Sequence, residues 1–326
     1  MSIACAKSVL VYDVGGSHVA AAICSQHSYS LQGLSRAPLP HEFSASSFGR
    51  LIHTLGESAA NTAGFELSEI CGAALAMPGP FDYQNGVSHM THKLHSLLNV
   101  DLKAALAQRF GWQPAQVRFL NDAAAFLLGE LYAGAAKSAP RAVGLTLGTG
   151  IGSAFSIDGQ IVTSGPGIPP GGEIWNLPYK TGIVEDYAST HFLRLHFQAL
   201  TGVEAEVTAI ANTAKTPEPC DEITSLPTTV PEVLTPYEAH CRARQAFQDF
   251  GHHLGNILNH ILLESGNPFQ PNVIVLGGGI ARAAQLFLPE TRKILKVSPA
   301  PTIVVSSLMD QAPLAGAGAH WFPTRS

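Results

Sequence analysis

Four short apolar segments of this chain each end at a group of glycines or at a Pro-Gly turn. The segments are residues 9–12, 73–76, 143–147 and 273–276. They run into DVGGS (13–17), MPGP (77–80), GTG (148–150) and GGG (277–279). A buried strand followed by glycines marks a point where the backbone turns sharply or approaches a ligand closely. Four such strand ends in one chain predict a binding site that is assembled from several strands.

The first and third of these segments resemble each other. VLVYDVGG (9–16) aligns with VGLTLGTG (143–150), and each continues into a second apolar segment, at 19–23 and at 153–157. The second pair then meets Asp158-Gly159, which is a strong signal for a β-hairpin. The repetition predicts a duplicated strand–turn–strand domain. Coincidence between two glycine-rich hairpins is the alternative interpretation.

Helical patterns lie between the predicted strands, at 102–110, 123–132 and 241–264. Strands that alternate with helices predict an α/β protein. The interval 215–236 contains five prolines and cannot form a long regular helix, so it is expected to be an exposed excursion.

Composition limits the class of protein. The 326 residues suggest two lobes, and 13% charged residues, against about 25% in average soluble chains, argue against intrinsic disorder. A formal net charge of −5 has the wrong sign for binding nucleic acid or an anionic membrane through bulk charge. The five scattered cysteines lack CxxC spacing, and the chain shows no signal-peptide layout and no apolar run of about 18 residues. A reduced, cytoplasmic protein is expected.

The turn after the first strand carries the first candidate site residues. Asp13 stands at the strand end and is followed by Gly15, Gly16 and Ser17. Glycines let main-chain N–H groups converge on phosphate oxygens, and a carboxylate can hold Mg²⁺ through water. An ordinary tight turn with an aspartate cap is the alternative.

Asn121 and Asp122 directly follow the apolar run 117–120 and open the predicted helix. A carboxylate at a helix N-terminus is favoured in its ionised form. One interpretation is that Asp122 only caps the helix. The other is that Asp122 is a general base for a substrate hydroxyl and that Asn121 orients the substrate.

Two further motifs are candidates for a binding site, one because of its carboxylates and the other because of its glycines. Glu173 and Glu185 lie on loops and suit recognition of sugar hydroxyls, although a solvated carboxylate is the alternative for each. The glycines at 277–279 lack G-x-G-x-x-G spacing, and the chain has no P-loop motif. A Rossmann oxidoreductase is therefore a poor fit.

Taken in order, these pieces resemble the ROK family of sugar kinases, within the actin-like ATPase superfamily. The matching stretches are VLVYDVGGSHVAAAI (9–23), AMPGPFDYQNGV (76–87), VRFLNDAAAFLLGE (117–130), LTLGTGIGSAFSIDGQI (145–161), GGEI (171–174), VEDYAS (184–189), NVIVLGGGIARA (272–283) and PLAGAGAH (313–320). The resemblance implies two α/β lobes of ribonuclease-H-like topology with the active site in the cleft. The expected lobes are 1–121, completed by a C-terminal helix at 311–326, and 122–310, which includes the excursion at 215–236.

The resemblance also assigns roles to individual residues. Asp122 matches the catalytic base and Asn121 its sugar-binding neighbour, while Glu173 and Glu185 match sugar-hydroxyl ligands. The residues that match the phosphate and adenosine motifs are Asp13, Gly15, Gly16, Ser17, Gly148, Thr149, Gly150, Gly277, Gly278 and Gly279. ATP and Mg²⁺ are the expected cofactors, with Asp13 on the magnesium side.

The chain departs from the family pattern in the loop after Glu173. The family's histidine and glycine are replaced by Asn176 and Trp175, and the CxCGxxGCxE zinc segment is absent. No structural zinc is therefore expected. Asn176 can still hydrogen-bond a sugar hydroxyl, but it cannot reproduce imidazole geometry. Sugar specificity stays open on this account.

The resulting expectation is an ATP-dependent kinase that phosphorylates a hexose, at the 6-OH of glucose or a close relative. Its partners would be a small sugar and ATP, without nucleic acid or membrane, in a homodimer. The alternatives are an N-acetylhexosamine kinase, a polyphosphate glucokinase, and a non-catalytic sugar sensor of the same fold. A DNA-binding repressor is disfavoured because only eight residues precede the first apolar run, too few for a helix-turn-helix.

Overall fold

The computed structural model describes residues 8–26, 30–40, 42–91, 94–216, 234–263 and 268–322. Its strands are β1 (Ser8–Val14), β2 (His18–Ser25), β3 (Leu31–Pro38), β4 (Ile70–Met77), β5 (Phe81–Asp82), β6 (Val87–Ser88), β7 (Val117–Asn121), β8 (Arg141–Leu147), β9 (Ile151–Ile157), β10 (Gln160–Val162), β11 (Pro178–Tyr179), β12 (Gly182–Ile183), β13 (Val273–Gly277) and β14 (Thr302–Val305). Its α-helices are α1 (Ala45–Ala63), α2 (Leu102–Phe110), α3 (Asp122–Ala133), α4 (Thr190–Thr201), α5 (Val207–Lys215), α6 (Pro236–Leu263), α7 (Ala284–Ile294) and α8 (Ala312–Trp321).

Two five-stranded sheets have the same strand order. The first runs β3-β2-β1-β4-β7 and the second runs β10-β9-β8-β13-β14. In the first sheet β1 is antiparallel to β2 and parallel to β4, and β4 is parallel to β7. In the second sheet β13 and β14 are parallel. The repeated order agrees with the duplication predicted from the two glycine-rich turns.

The predicted helices form close to their expected bounds. Helix α2 begins after the cap Asp101, whose carboxylate accepts the N–H of Ala104 at 2.8 Å, and it ends at Gly111 with φ 71°. These are ordinary start and stop signals for a helix. The helix predicted at 241–264 begins earlier, at Pro236, and ends at Leu263. Most of the expected excursion at 215–236 lies outside the described residues, because 217–233 are not among them.

Tyr12 anchors the strand that carries Asp13. Its side chain is fully buried beneath α1, and its hydroxyl donates to the carbonyl oxygen of Ile52 at 3.0 Å. A Cβ on Gly56 would come within 2.2 Å of that hydroxyl oxygen, so only glycine leaves room for it. The buried hydroxyl is therefore hydrogen-bonded, as a buried polar group needs to be.

The chain divides into two compact units. The first comprises the described residues of Met1–Gly144, Phe155–Ile161 and Ser306–Ser326, and the second comprises those of Leu145–Ala154 and Val162–Val305. This division differs from the expected lobe boundary at 121–122, because α3 lies in the first unit. The reason is close packing of α3 against α8. A Cβ on Gly316 would stand 1.7 Å from the carbonyl oxygen of Ala125, and one on Gly129 would stand 2.1 Å from that of Ala312.

Among the helices of the described residues, none combines the length and the apolar character needed to cross a lipid bilayer.

Candidate active site

Asp13 lies near the end of β1, in the middle of the first sheet. Its neighbours in register are Ala20 on β2 and Ala76 on β4, which are both small. Arg36 on β3 is in turn the register partner of Ala20. Residues paired across neighbouring strands share one face of a sheet, so Arg36 and Asp13 lie on the same face with an alanine between them.

In the first unit, the pKa of Asp13 depends on the charges of two other carboxylates and one guanidinium. Burial, followed by the charges of Asp122 and Asp310, raises the pKa of Asp13 to about 7, while Arg36 opposes the shift. The guanidinium of Arg36 lies 3.7 Å from a carboxylate oxygen of Asp310, and both side chains are about half exposed, so water screens this pair. The sequence analysis did not single out Asp310 or Arg36, because no local pattern connects either residue with Asp13.

Carboxylates that repel one another favour a cation near them, and carboxylate oxygens are ligands that Mg²⁺ prefers. Among the described residues, no three His, Cys, Asp or Glu side chains are grouped closely enough to form a metal cage. Mg²⁺ usually keeps several waters and binds through one or two carboxylates together with substrate phosphates. The residues around Asp13 fit an ion held in that way.

The tip of the turn after β1 is accessible to solvent. The turn itself is formed by a hydrogen bond in which the N–H of Gly15 donates to the carbonyl oxygen of His18 at 2.9 Å. Gly16 and Ser17 are exposed, and nothing lies within 4 Å of the point where a Cβ on Gly16 would stand. Its backbone can therefore be approached by a ligand, as the phosphate prediction requires.

Asn121, rather than Asp122, is the N-cap of α3. Its side-chain oxygen accepts the N–H of Ala124 at 3.1 Å, and its side-chain nitrogen donates to the hydroxyl of Tyr83 at 3.2 Å. Asp122 is the first residue of the helix, and its carboxylate accepts the N–H of Ala123 at 2.9 Å. Asn121 therefore fills the cap position that one interpretation gave to Asp122, and Asp122 accepts a backbone N–H in the first turn of the same helix.

Tyr83 is a further residue of this region that the sequence analysis did not single out. Its hydroxyl donates to the carbonyl oxygen of Met77 at 3.2 Å and accepts from Asn121. Tyr83 directly follows β5, in the loop between β5 and β6. Tyr83 thus links the end of β4 to the residue beside Asp122.

In the second unit, the turn at 148–150 is held by backbone contacts. The N–H of Gly148 donates to the carbonyl oxygen of Gly150 at 3.0 Å, and the carbonyl oxygen of Gly148 accepts the N–H of Thr190 at 2.8 Å. Thr149 is exposed at the tip. The first residue of α4 therefore fixes one side of this turn and leaves its tip accessible.

The carboxylate of Glu185 lies against the same turn. One of its oxygens accepts the N–H of Ile151 at 3.1 Å, and a Cβ on Gly150 would stand 2.0 Å from that oxygen. The N–H of Glu185 donates to the carbonyl oxygen of Trp175 at 3.0 Å. Glu185, which the resemblance assigns to sugar, is thus also a structural neighbour of the predicted phosphate turn.

The glycines after β13 meet backbone on one side and open space on the other. Gly278 has φ 81°, and a Cβ there would stand 2.4 Å from the carbonyl oxygen of Leu147. Gly279 has nothing within 4 Å of its Cβ position. The positive φ and the close carbonyl oxygen explain why glycine is needed at 278. The empty space beside Gly279 allows a ligand to approach the backbone there.

The loop that carries Glu173 is anchored by Ser153. The hydroxyl of Ser153 is 7% exposed, donates to the carbonyl oxygen of Gly172 at 2.7 Å, and accepts the N–H of Ile174 at 3.1 Å. This anchor is another residue that the sequence analysis missed.

Trp175 has an explanation in the same loop. Its indole N–H donates to a carboxylate oxygen of Glu173 at 2.9 Å. Glu173 and Asn176 are both exposed. The tryptophan that departs from the family pattern therefore orients the carboxylate that the pattern predicts to bind sugar.

The hairpin β11–β12 occupies the interval between Asn176 and Glu185. The hydroxyl of Tyr179 lies 3.2 Å from the ring nitrogen Nδ1 of His253, and the ring of Tyr187 packs edge-on against Tyr179 at 5.1 Å. Burial, followed by the charge of Lys180, lowers the pKa of His253 to about 4. A neutral imidazole within an aromatic cluster therefore packs this hairpin.

The repeated strand order, with a glycine turn after the first strand of each sheet, defines the class of protein as the two-lobed actin-like fold. The model of the ROK family matches residues 9–174, and the chain belongs to the ROK family.

The chain is 26% identical over 320 residues to a glucokinase from Thermotoga maritima, with 94% of each chain covered. It is 27% identical over 149 residues to an N-acetyl-D-glucosamine kinase from Haemophilus influenzae, with 46% of each chain covered. Among solved structures, it is similar to a ROK family glucokinase from Streptomyces griseus in complex with glucose and AMPPNP. That likeness has a TM-score of 0.71 at 19% identity and covers 96% of this chain and 98% of that chain.

The predicted family and fold class are thereby confirmed, and the names of these relatives agree with the expected class of enzyme, an ATP-dependent sugar kinase. The roles of the individual site residues stay predictions.

Proposed function

We propose that this protein transfers the γ-phosphoryl group of ATP to a hydroxyl of a hexose, at the 6-OH of glucose or a close relative. The observation that carries the proposal is the start of α3. There Asn121 caps the helix and leaves Asp122 at its first position, in the same unit as Asp13. Membership in a family whose relatives include a glucokinase supports the same reaction.

In this mechanism Asp122 takes the proton of the attacking sugar hydroxyl. A carboxylate in the first turn of a helix is stabilised in its ionised form by the helix dipole, which suits a base that must be deprotonated before the reaction. General bases contribute about 10²–10⁴ in rate. Asn121 would hold a second sugar hydroxyl, and its contact with Tyr83 fixes the orientation of its amide.

The phosphate groups would be bound by main-chain donors and by charge. The amides of the exposed Gly16 and Ser17 can donate to phosphate oxygens, and the exposed Thr149 at the tip of the turn at 148–150 offers a donor of the same kind. When bound, Mg²⁺ supplies neutralisation of the phosphate charge, and Asp13 would hold it through water. Phosphoryl transfer needs mainly such positioning and charge stabilisation from the protein.

Sugar recognition would involve the exposed Glu173 and Asn176 together with Glu185. The indole of Trp175 holds the Glu173 carboxylate, so one sugar ligand is oriented before the sugar binds. Asn176 offers one donor and one acceptor group where the family has an imidazole. This replacement is the reason why specificity among hexoses needs a direct test.

An N-acetylhexosamine kinase is the second candidate, favoured by the likeness to the N-acetyl-D-glucosamine kinase. A coupled assay of ADP release with Mg-ATP, run against a panel of hexoses and N-acetylhexosamines, separates the two. We expect the highest kcat/KM with glucose or a close relative. A preference for N-acetylhexosamines would select the second candidate. A folded protein without turnover on any sugar, with ATP or polyphosphate as donor, would contradict both and favour a sugar sensor.

A further inference from the structure

A groove of about 310 Å³ in the first unit is lined by two cations together with aromatic and neutral polar side chains. Its lining residues are Tyr83, Gln84, Lys103, Arg118, Phe119 and His320, which we call the basic groove. Two of the six, Lys103 and Arg118, are cations and none is acidic, in a chain that has more Asp and Glu than Lys and Arg. Such a concentration of positive charge favours an anionic occupant.

The cations are held in place by neutral partners. Arg118 lies 4.5 Å over the ring of Trp321 and donates one N–H to the carbonyl oxygen of that residue at 3.1 Å. Lys103 donates to the carbonyl oxygen of Gln84. Among the ion pairs that the described residues form, none includes Lys103 or Arg118. Neither positive charge is therefore neutralised by an ion pair with a carboxylate among the described residues.

The positions of these side chains are fixed by packing. Gly86 lets α2 approach closely, since a Cβ there would stand 2.6 Å from the Cβ of Lys103. Trp321 lies against the backbone of Gly72, where a Cβ would stand 2.4 Å from the ring. Burial and the charge of Arg118 both lower the pKa of His320. The charged form of His320 is thus disfavoured beside two cations.

We infer that the basic groove binds a small phosphate-bearing anion, with a sugar phosphate as the occupant that its lining suits best. Arginine offers a planar set of donors and lysine a point charge, and both bind phosphate. The rings of Tyr83 and Phe119 add an apolar wall for the body of the ligand, and the volume lies within the range of small-molecule sites. The choice of a sugar phosphate rests on the proposed function, because that is the product of the reaction.

A ligand bound in the basic groove would affect the predicted sugar site through Tyr83. The same tyrosine lines the groove and accepts a hydrogen bond from Asn121. A ligand that moves the Tyr83 ring would change the orientation of the Asn121 amide. The product would then weaken sugar binding from a position outside the sugar site.

Titration calorimetry tests the site. The full-length protein is saturated with glucose and a non-hydrolysable ATP analogue, and it is then titrated with glucose 6-phosphate and, separately, with inorganic phosphate. We expect one binding event with glucose 6-phosphate and a weaker one with inorganic phosphate. Lys103→Gln should weaken both by about tenfold, since it removes one charged hydrogen bond. Arg118→Gln should weaken both at least as much, and its fold is checked by thermal unfolding because of the contact with Trp321.

Arg109→Gln is the matched control, because Arg109 lies on the same helix as Lys103 but outside the basic groove, and it should bind like the wild type. No binding to wild type at millimolar concentration, or equal binding by wild type and Lys103→Gln, would overturn the inference. Tight binding of inorganic phosphate with no gain from the sugar would leave an anion site and exclude product recognition. The kinase assay is independent, so an inactive protein that still binds in a Lys103-dependent way would contradict the proposed function and not this site.

Discussion

The two glycine turns occupy equivalent places in two sheets of the same strand order, yet their chemistry differs. In the first sheet the strand before the turn carries Asp13, whose carboxylate faces other carboxylates. At the aligned position in the second sheet stands Leu147, which is fully buried. The carboxylate beside the second turn comes from Glu185 on a separate segment, and it binds a backbone N–H. The repeat therefore preserves the backbone, and the side chains give each copy a separate role.

The difference teaches which properties follow from pattern and which follow from particular contacts. Strand order and turn position recur because apolar strands and glycines recur. Charge does not recur, because it depends on which segment supplies a carboxylate. We accordingly expect the first turn to be sensitive to the charge of its carboxylates and the second to the space at its glycines.

The largest effect is expected at Asp122, which interacts with the charge of Asp13. Asp122→Asn removes the proposed base but keeps the shape of the side chain, so kcat should fall by about 10²–10⁴ while the dissociation constant of the sugar changes little. Steady-state kinetics and calorimetry with sugar measure the two quantities. Asp101→Asn is the matched control, since Asp101 caps α2 and should affect stability without lowering kcat in this way. Unchanged turnover in Asp122→Asn would remove the general-base assignment.

Asp13 should give the next largest effect, through the pH dependence of stability. Its pKa is about 7 in the folded protein against 3.8 in the absence of structure, so the folded state binds more protons between these values. Stability therefore falls as pH rises from about 4 to about 7, and the loss is on the order of 3 kcal/mol after allowance for partial exposure to water.

Thermal unfolding in EDTA at pH 5 and pH 8 measures this loss. Asp13→Asn should flatten the pH dependence and raise the melting temperature at pH 8, because an amide carries no charge to bury. Asp186→Asn in the second unit is a control that should retain the wild-type slope. A wild-type stability that rises over this range would show that the carboxylate is not desolvated.

Gly150→Ala tests whether the second turn depends on space. The added methyl would stand 2.0 Å from the Glu185 carboxylate, so the hydrogen bond to Ile151 should be lost at a cost of about 1–2 kcal/mol. Gly16→Ala in the first turn meets nothing within 4 Å and should change stability by less than about 0.5 kcal/mol. Adding Gly150→Ala to Glu185→Ala should cost little beyond Glu185→Ala alone, since the hydrogen bond is already absent and the collision disappears. Equal losses of stability in Gly150→Ala and Gly16→Ala would contradict the expectation that only the second turn depends on space at its glycine.

Much of the fold was predictable from sequence, because long apolar patterns and glycine turns are local signals. The hairpin at Asp158-Gly159 formed as predicted, with positive φ at both residues, and α2 has the expected bounds. The placement of α3 in the first unit was not predictable, since it depends on packing against Gly316 of α8, almost two hundred residues away. Arg36 and Ser153 were not predicted either. Each acts through a partner that only the folded chain brings near.

The smallest effect is expected at Trp175, whose indole N–H holds Glu173. Trp175→Phe keeps a large aromatic ring and removes only the donor, so Glu173 should lose its fixed orientation. The loss of one hydrogen bond to a charged group on an exposed loop should raise the sugar KM about threefold to tenfold and leave kcat nearly unchanged. Trp112→Phe is the control, because Trp112 stacks on Phe110 in the first unit and should leave the sugar KM unaltered. A lower kcat with unchanged KM would mean that Glu173 acts on the transition state rather than on the bound sugar, and Glu173 would then belong with Asp122 in the reaction itself.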